Sequence, residues 1–336
     1  MRIAVVASLV TPLLPVQAGG AQAFVADLAR GLAERGHQVL LYCAEGSQVP
    51  GVELVAIPVE VGIAGALVMP GAPALGEVAE LRRGFERLFA ELRRRGADAV
   101  SQHAFDAEAI ELAEDLPVVH TLHLPPLVPR VVTAARATSS RLATVSRACR
   151  ADWARAGVDA VVLPDGVPDW QPDAGPVEPI ALIAGRISPE KGIEDGVEAA
   201  RRAGLRPLVV GGDYDPAYRA RLAGVEIRPP LARRELWRLM ARAAVTLMPV
   251  KWEEPFGLVA AEAQVAGCPV AAYARGALPE VVGEGAGGFL ARPDDVEDLG
   301  RAIRSCLGLD RSRVRAQARE RLLLDRSLDA YEEALR

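Results

Sequence analysis

Lysine is almost missing from this chain. Of 39 basic residues only Lys191 and Lys251 are lysines, and there is no asparagine at all. A coding bias toward GC-rich codons produces both absences, with arginine standing wherever the physics allows it. The two remaining lysines are therefore candidates for work that a guanidinium does badly, such as presenting a compact point charge. Cysteine is scarce as well. Cys43, Cys149, Cys268 and Cys306 have neither CxxC spacing nor disulfide density, which excludes a disulfide scaffold and argues against a structural zinc. No basic run exceeds the three arginines of residues 93–95 and the net charge is -5, so nucleic acid is not expected as a partner. No apolar run approaches the roughly 20 residues of a membrane span. The opening MRIAVVAS lacks a secretory cleavage pattern and reads as a first strand. These absences predict a protein of the reducing cytoplasm, without a transmembrane segment.

What is present is a chain of 336 residues, half hydrophobic and one quarter charged. That excludes disorder, collagen and coiled coil, and the length predicts two domains of roughly 150 residues each. Short β-branched runs alternate with helical stretches, the signature of parallel α/β sheets. The pattern predicts strands at residues 3–7, 38–42, 53–59, 99–102, 117–122, 143–146 and 161–163, with helices at 21–35 and 77–95. Residues 164–179 are rich in Pro, Gly and Asp, lack periodicity and read as an interdomain linker. The alternation then restarts. Strands are predicted at 180–184, 207–210, 245–248, 269–272 and 288–290, and helices at 192–203, 234–243, 258–266, 296–307 and about 313–335. Two Rossmann-like domains facing each other would place a cleft between the carboxyl ends of both sheets.

Three segments carry chemistry. In WEEPFGLVAAEAQVAGCPV (252–270), Pro255 and Gly257 stand where a helix starts, with Glu254 just before it and Glu262 in its second turn. The backbone N–H groups of Phe256, Gly257 and Leu258 are then free to take an anion or a sugar hydroxyl. Two carboxylates, one at the helix mouth and one on its flank, can hold two sets of hydroxyls. An amphipathic helix with a glutamate at its positive end accounts for the same pattern without a ligand. In AGRISPEKG (184–192), directly after a strand, Arg186 and Lys191 together suit a diphosphate. Read as a solvated loop, the same segment pairs Arg186 with Glu190. Gly19 and Gly20 form a short turn feeding the first helix, which lets a phosphate or sugar approach the backbone, although a plain tight turn needs them too.

Taken together these motifs resemble the retaining glycosyltransferases of family 4, a group with the GT-B fold. The similarity covers nearly the whole chain: the GG-helix-RGH opening, TLH at 121–123, PDGV at 164–167, GRISPEKG, EEPFGLVAAEA, GCPV and GALPEVV. It implies an acceptor domain over 1–165, a nucleotide-sugar donor domain over 166–312, and a C-terminal helix over 313–336 packing back toward the first domain. It further implies that Arg186 and Lys191 neutralise the donor diphosphate and that Glu254 binds hydroxyls of the transferred sugar beside the Phe256–Leu258 amides. Glu262 would hold the ribose, and Gly20, with Gly19, would close on the donor. His123 matches the family's histidine near the anomeric centre, and His103 matches a strand-end histidine that could touch the acceptor. The family's usual PNGV reads PDGV here, and the turn at 276–280 carries Ala277, which could narrow the sugar pocket. The chain is similar in detail to small enzymes that glucosylate pteridines or natural products.

The activity this implies is transfer of a hexose, read as glucose from UDP-glucose, to a small-molecule hydroxyl with retention at the anomeric carbon. No cofactor and no metal is expected, because no DxD-type site stands in a matching position. The apolar loops at 61–74 and 124–128 are candidates for a flat or hydrophobic acceptor, or simply pack on their own domain. Two other readings use the same phosphate grip: a nucleotide-sugar epimerase or hydrolase, and a non-catalytic nucleotide-sugar-binding protein.

Overall fold

Runs of aliphatic residues buried on both faces build two separate parallel sheets, the pattern expected where helices cover each side. The computed structural model describes residues 1–16, 19–59, 79–171, 173 and 175–336. The expected loop at 61–74 and the first residues of the helix expected from 77 lie outside these. Two compact units divide the chain. The first comprises Met1–Pro15, Ala21–Asp165 and Leu324–Arg336, and the second comprises Gly166–Leu323 with Val16–Gly20.

In the first unit the strands are β1 (Arg2–Val6), β2 (Gln38–Ala44), β3 (Glu53–Ile57), β4 (Ala99–Gln102), β5 (Val118–Leu122), β6 (Arg141–Thr144) and β7 (Val161–Val162). They lie in the order β3-β2-β1-β4-β5-β6-β7, with Ile3 paired to Val39 on one side and to Ala99 on the other. The helices are α1 (Gly20–Glu34), α2 (Ala79–Arg95), α3 (Ala107–Glu111), α4 (Pro129–Ala137) and α5 (Arg147–Arg155). Pro129 opens α4, where a missing N–H costs nothing, and the Ser146 hydroxyl caps α5 by accepting from the Cys149 N–H. Leu40, Tyr42, Phe85, Leu88 and Phe89 form one core cluster between the sheet and α2.

The second unit repeats the plan. Its order is β10 (Glu226–Arg228), β9 (Arg206–Val210), β8 (Glu178–Ala184), β11 (Ala243–Met248), β12 (Val270–Tyr273) and β13 (Gly288–Ala291). The helices are α6 (Ile193–Arg202), α7 (Pro216–Arg221), α8 (Arg233–Arg242), α9 (Leu258–Val265), α10 (Leu278–Val282), α11 (Val296–Cys306) and α12 (Arg311–Leu322). In both sheets the strand order reverses next to the first strand, at β1/β4 and at β8/β11. Ligands of open α/β sheets bind beyond the carboxyl ends of the strands at that switch point.

The C-terminal stretch departs from the expected single helix. Leu323 is extended (ψ 147°) and separates α12 from α13 (Leu324–Ala334). The second unit therefore runs to Leu323 and not to 312, and only α13 belongs to the first. Within that unit the fully buried Tyr331 ring lies 5.9 Å from Phe24, its hydroxyl is 3.1 Å from Thr121 Oγ1, and Glu332 meets His37 Nε2 at 2.9 Å.

Candidate functional site

The loops that leave β8 and β11, side by side at the switch point of the second sheet, hold most of the expected donor residues. Arg186 follows β8 by two residues, and Lys191 ends a short 3-10 turn at Pro189–Lys191. Gly192 then takes φ 61°, and a side chain there would sit 1.9 Å from the Pro249 carbonyl oxygen. Only glycine allows that approach. The same contact lets the Lys251 N–H donate to the Glu190 carbonyl at 2.8 Å, so the two loops are stitched through their backbones.

Lys191 Nζ donates to Glu254 Oε2 at 2.9 Å, joining residues 63 positions apart. Both side chains are largely shielded, with 16% and 12% of their surface exposed. Trp252 Nε1 donates to the same oxygen at 2.9 Å, and the Lys191 ammonium stands 5.3 Å from the Trp252 ring centre. The Glu254 backbone is fixed from the other side. Its carbonyl accepts from the Ala277 N–H at 2.8 Å, and a Cβ on Gly276 would lie 2.4 Å from its nitrogen. Gly276 also has φ 55° and donates its N–H to Glu253 Oε2 at 2.7 Å. The Gly276–Ala277 turn thus clamps the chain at Glu254.

Arg186 Nη2 reaches Glu190 Oε1 at 3.3 Å, and the Ser188 hydroxyl donates to the same oxygen at 2.6 Å. The Arg186 Nε is buried and has no partner, and its guanidinium lies 5.8 Å from the Tyr214 ring centre. Gly257 caps α9 with φ 98°, and no described hydrogen bond engages the backbone N–H of Phe256, Gly257 or Leu258. Glu262, buried in the second turn of α9, accepts from Arg233 Nε at 2.6 Å, and that guanidinium also lies over the Trp237 ring. The region therefore holds three cation–carboxylate pairs next to unspent N–H donors. An arriving diphosphate can exchange places with the carboxylates as the partner of these cations. Lys251, the other lysine, points elsewhere and donates to Asp195 at 2.9 Å.

The histidines are organised differently in the first unit. His103 follows β4 and His123 follows β5, so both stand at carboxyl strand ends. His123 Nε2 is 2.9 Å from His103 Nδ1, and His103 Nε2 is 2.8 Å from Ser101 Oγ. His123 Nδ1 faces Asp165 Oδ1 at 3.7 Å. Phe24 and Tyr331 close around these rings. Both ring nitrogens of His103 and the Nε2 of His123 are engaged in this buried polar cluster, whereas His123 Nδ1 makes no described hydrogen bond and Asp165 Oδ1 is without a partner. Burial holds His103 well below the usual histidine range, helped by the neighbouring ring, and takes His123 down to about 4. Burial also pushes the Asp165 carboxyl well up. Gly19 lies in the bend before α1 and Gly20 is its first residue. In the loop at 124–128, the Leu124 carbonyl is taken by the Trp153 indole N–H at 2.9 Å while Leu127 is exposed.

His120, inside β5, is the contrasting case. It is 1% exposed, both ring nitrogens lack partners, and burial lowers its pKa to about 4. Between pH 6.5 and 4 the unfolded chain therefore holds a proton there that the folded chain does not. Stability at this site is lost as pH falls through that window, by about 1.4 kcal/mol per pH unit. Urea unfolding should show His120→Leu gaining on the parent protein by that slope between pH 6.5 and 4. A difference that does not change with pH would contradict the assignment.

Trp252 and Arg233 are the site residues that the motif reading left without a role, and Ala277, expected to narrow the sugar pocket, here helps to clamp the Glu254 backbone. Trp252 sat inside a recognised motif. Arg233 had no signal beyond its place at the start of a helix. Among the described residues no three His, Cys, Asp or Glu side chains converge as metal ligands, and no helix is long and apolar enough to cross a membrane.

Comparison with known proteins places the chain in a family. Residues 18–170 match the family model for Glycosyltransferase Family 4, and residues 170–322 match that for Glycosyl transferases group 1. The chain belongs to the family 4-type glycosyltransferases of the GT-B fold. D-inositol 3-phosphate glycosyltransferase of Mycobacterium marinum is 34% identical over 197 residues, covering 53% of this chain and 41% of that protein. Glycogen synthase of Mycobacterium tuberculosis is 36% identical over 188 residues, or 51% and 44%. The matched stretches thus span less than half the length of these curated relatives. Among solved structures, sucrose-phosphate synthase from Thermosynechococcus elongatus superposes with a TM-score of 0.78 at 20% identity, over 99% of this chain and 97% of that one. Anabaena HepE, solved with UDP and glucose, gives 0.74 at 18% identity over 100% and 99%.

Proposed function

We propose that this protein transfers a hexose from a nucleotide diphosphate sugar, UDP-glucose, to a hydroxyl of a small-molecule acceptor, with retention and without a metal. The observation that carries this reading is the Lys191–Glu254 pair at 2.9 Å, set at a sheet switch point beside the unpartnered Arg186 Nε. A cation and a carboxylate held together in this way can serve the diphosphate and the sugar hydroxyls of one donor. Arg186 and Lys191 take the diphosphate, the Phe256–Leu258 amides add neutral donors, and Glu254 binds the sugar ring. Glu262, oriented by Arg233, binds the ribose. The choice of UDP-glucose leans on HepE, whose structures hold UDP, glucose or UDP-glucose.

Transfer then needs no protein nucleophile. The bond between the anomeric carbon and the diphosphate oxygen breaks while the acceptor oxygen attacks from the same face. The acceptor proton passes to the departing phosphate. The protein's share is to stabilise charge on the leaving group with preorganised donors, usually the largest catalytic contribution.

A thermal-shift panel of UDP-glucose, UDP-GlcNAc, GDP-mannose and ADP-glucose tests the donor, and NMR of the product anomer tests retention. The expected outcome is the largest Tm rise with UDP-glucose and an α-linked product. No shift with any nucleotide sugar, or an inverted product, would overturn the reading. Free sugar formed from donor alone would favour a hydrolase. Turnover should also survive EDTA, because Arg186 and Lys191 supply the positive charge. Complete loss restored by magnesium or manganese would contradict that.

A further inference from the structure

Glu254 Oε2 receives two hydrogen bonds, from Lys191 Nζ and from Trp252 Nε1, each 2.9 Å long. Among the described residues no hydrogen bond engages Oε1. The Trp252 ring simultaneously carries the Lys191 ammonium on its face. One indole therefore touches both charged members of the central pair, through its N–H edge and through its π face.

We propose that Trp252 is a positioning residue for sugar transfer: it fixes the plane of the Glu254 carboxylate so that Oε1 alone is presented to a sugar hydroxyl, and it seats the Lys191 ammonium beside it. This rests on the transferase reading given above. A glutamate carboxylate bonded only to a lysine is poorly fixed, since its terminal torsion is broad and the lysine stem is flexible. The indole is rigid, and its single donor has one direction. Trp252 is itself held at both flanks. Lys251 before it is anchored by its backbone N–H on Glu190 and its ammonium on Asp195, and Glu254 after it by the Gly276–Ala277 clamp. When a diphosphate draws Lys191 away from Glu254, the indole bond remains, and the carboxylate keeps its orientation through the exchange.

Two measurements test this. The first needs no ligand. The protein has four tryptophans, so its spectrum holds four indole N–H signals, and Trp252→Phe identifies one by its loss. That signal should move in Glu254→Gln, while the other three stay in place. An unmoved signal in Glu254→Gln overturns the proposal. The second is kinetic, with UDP-glucose as donor. Trp252→Phe keeps a ring beneath the ammonium but removes the donor, so kcat should fall about ten- to hundredfold, the scale of losing a hydrogen bond to a charged group. Affinity for UDP should stay within about twofold, because the diphosphate grip is intact. An unchanged kcat, or a loss of UDP affinity as large as the loss of kcat, overturns the positioning role. A parent protein inert to every nucleotide sugar in the panel overturns the transferase reading and the catalytic role of Trp252 with it, while the indole signal still decides the ligand-free contact.

Discussion

Glu254→Ala should stop transfer while the purified protein keeps its thermal transition and still binds UDP. The side chain is largely shielded, but its loop is held through the backbone by Ala277 and Gly276, so truncation removes a carboxylate without releasing the chain. What disappears is a set of contacts to the reacting ring, worth about 2.7–4 kcal/mol for a single preorganised group, or a hundredfold or more in rate. Lys191 loses its acidic partner in this variant and is freer to meet the diphosphate, which is why UDP binding is retained. Glu262→Ala should give the opposite pattern. It removes the carboxylate held by Arg233, so UDP affinity falls while kcat at saturating donor stays near the parent value. Initial rates together with calorimetric UDP titrations separate the two. Near-normal turnover in Glu254→Ala would remove the donor site from this loop.

Lys191→Arg should be nearly as damaging as Lys191→Ala, in a chain that uses arginine almost everywhere else. The ammonium occupies a confined place between Glu254 Oε2 and the Trp252 ring, with only 16% of the side chain exposed. A planar guanidinium is wider, directs its donors in a fork, and cannot take that place without displacing the carboxylate or the phosphate oxygens. Loss of the preorganised charge in Lys191→Ala should lower the rate a hundredfold or more, from about 2.7–4 kcal/mol of lost stabilisation. Lys251→Arg is the internal control. Lys251 is 39% exposed, and its acceptor Asp195 keeps a second donor in the Tyr273 hydroxyl at 2.9 Å. That change should leave the rate within about twofold. Initial rates at saturating acceptor decide the matter, and equal small effects at both lysines would show that the scarcity of lysine says nothing about function.

The α/β alternation and the placement of the loop motifs were legible in the sequence because both are local. A strand followed by GRISPEKG already puts Arg186 and Lys191 at a carboxyl strand end, and EEPFG already opens a helix with Glu254 before it. Helices of five or six residues, such as α3, α7 and α10, were not legible, since one and a half turns leave no periodicity to read. The C-terminal break was hidden for the opposite reason. The run Leu322-Leu323-Leu324 continues a helical pattern, and only burial of Leu322 in one unit and of Leu328 and Tyr331 in the other requires Leu323 to be extended.

Partnership was decided by tertiary structure alone. Nothing in the order of residues says that Lys191 meets Glu254 63 positions on, or that Arg233, one of 39 basic residues, is the one that meets Glu262. His123 was recognisable by its motif, yet the contact of its Nε2 with His103 depends on how β4 and β5 come together. Composition and local pattern determined which chemical groups stand at the strand ends of this protein. Packing decided which of them touch, because hydrogen bonds and ion pairs form between neighbours in space, and the sheet order that makes them neighbours is set by the whole chain.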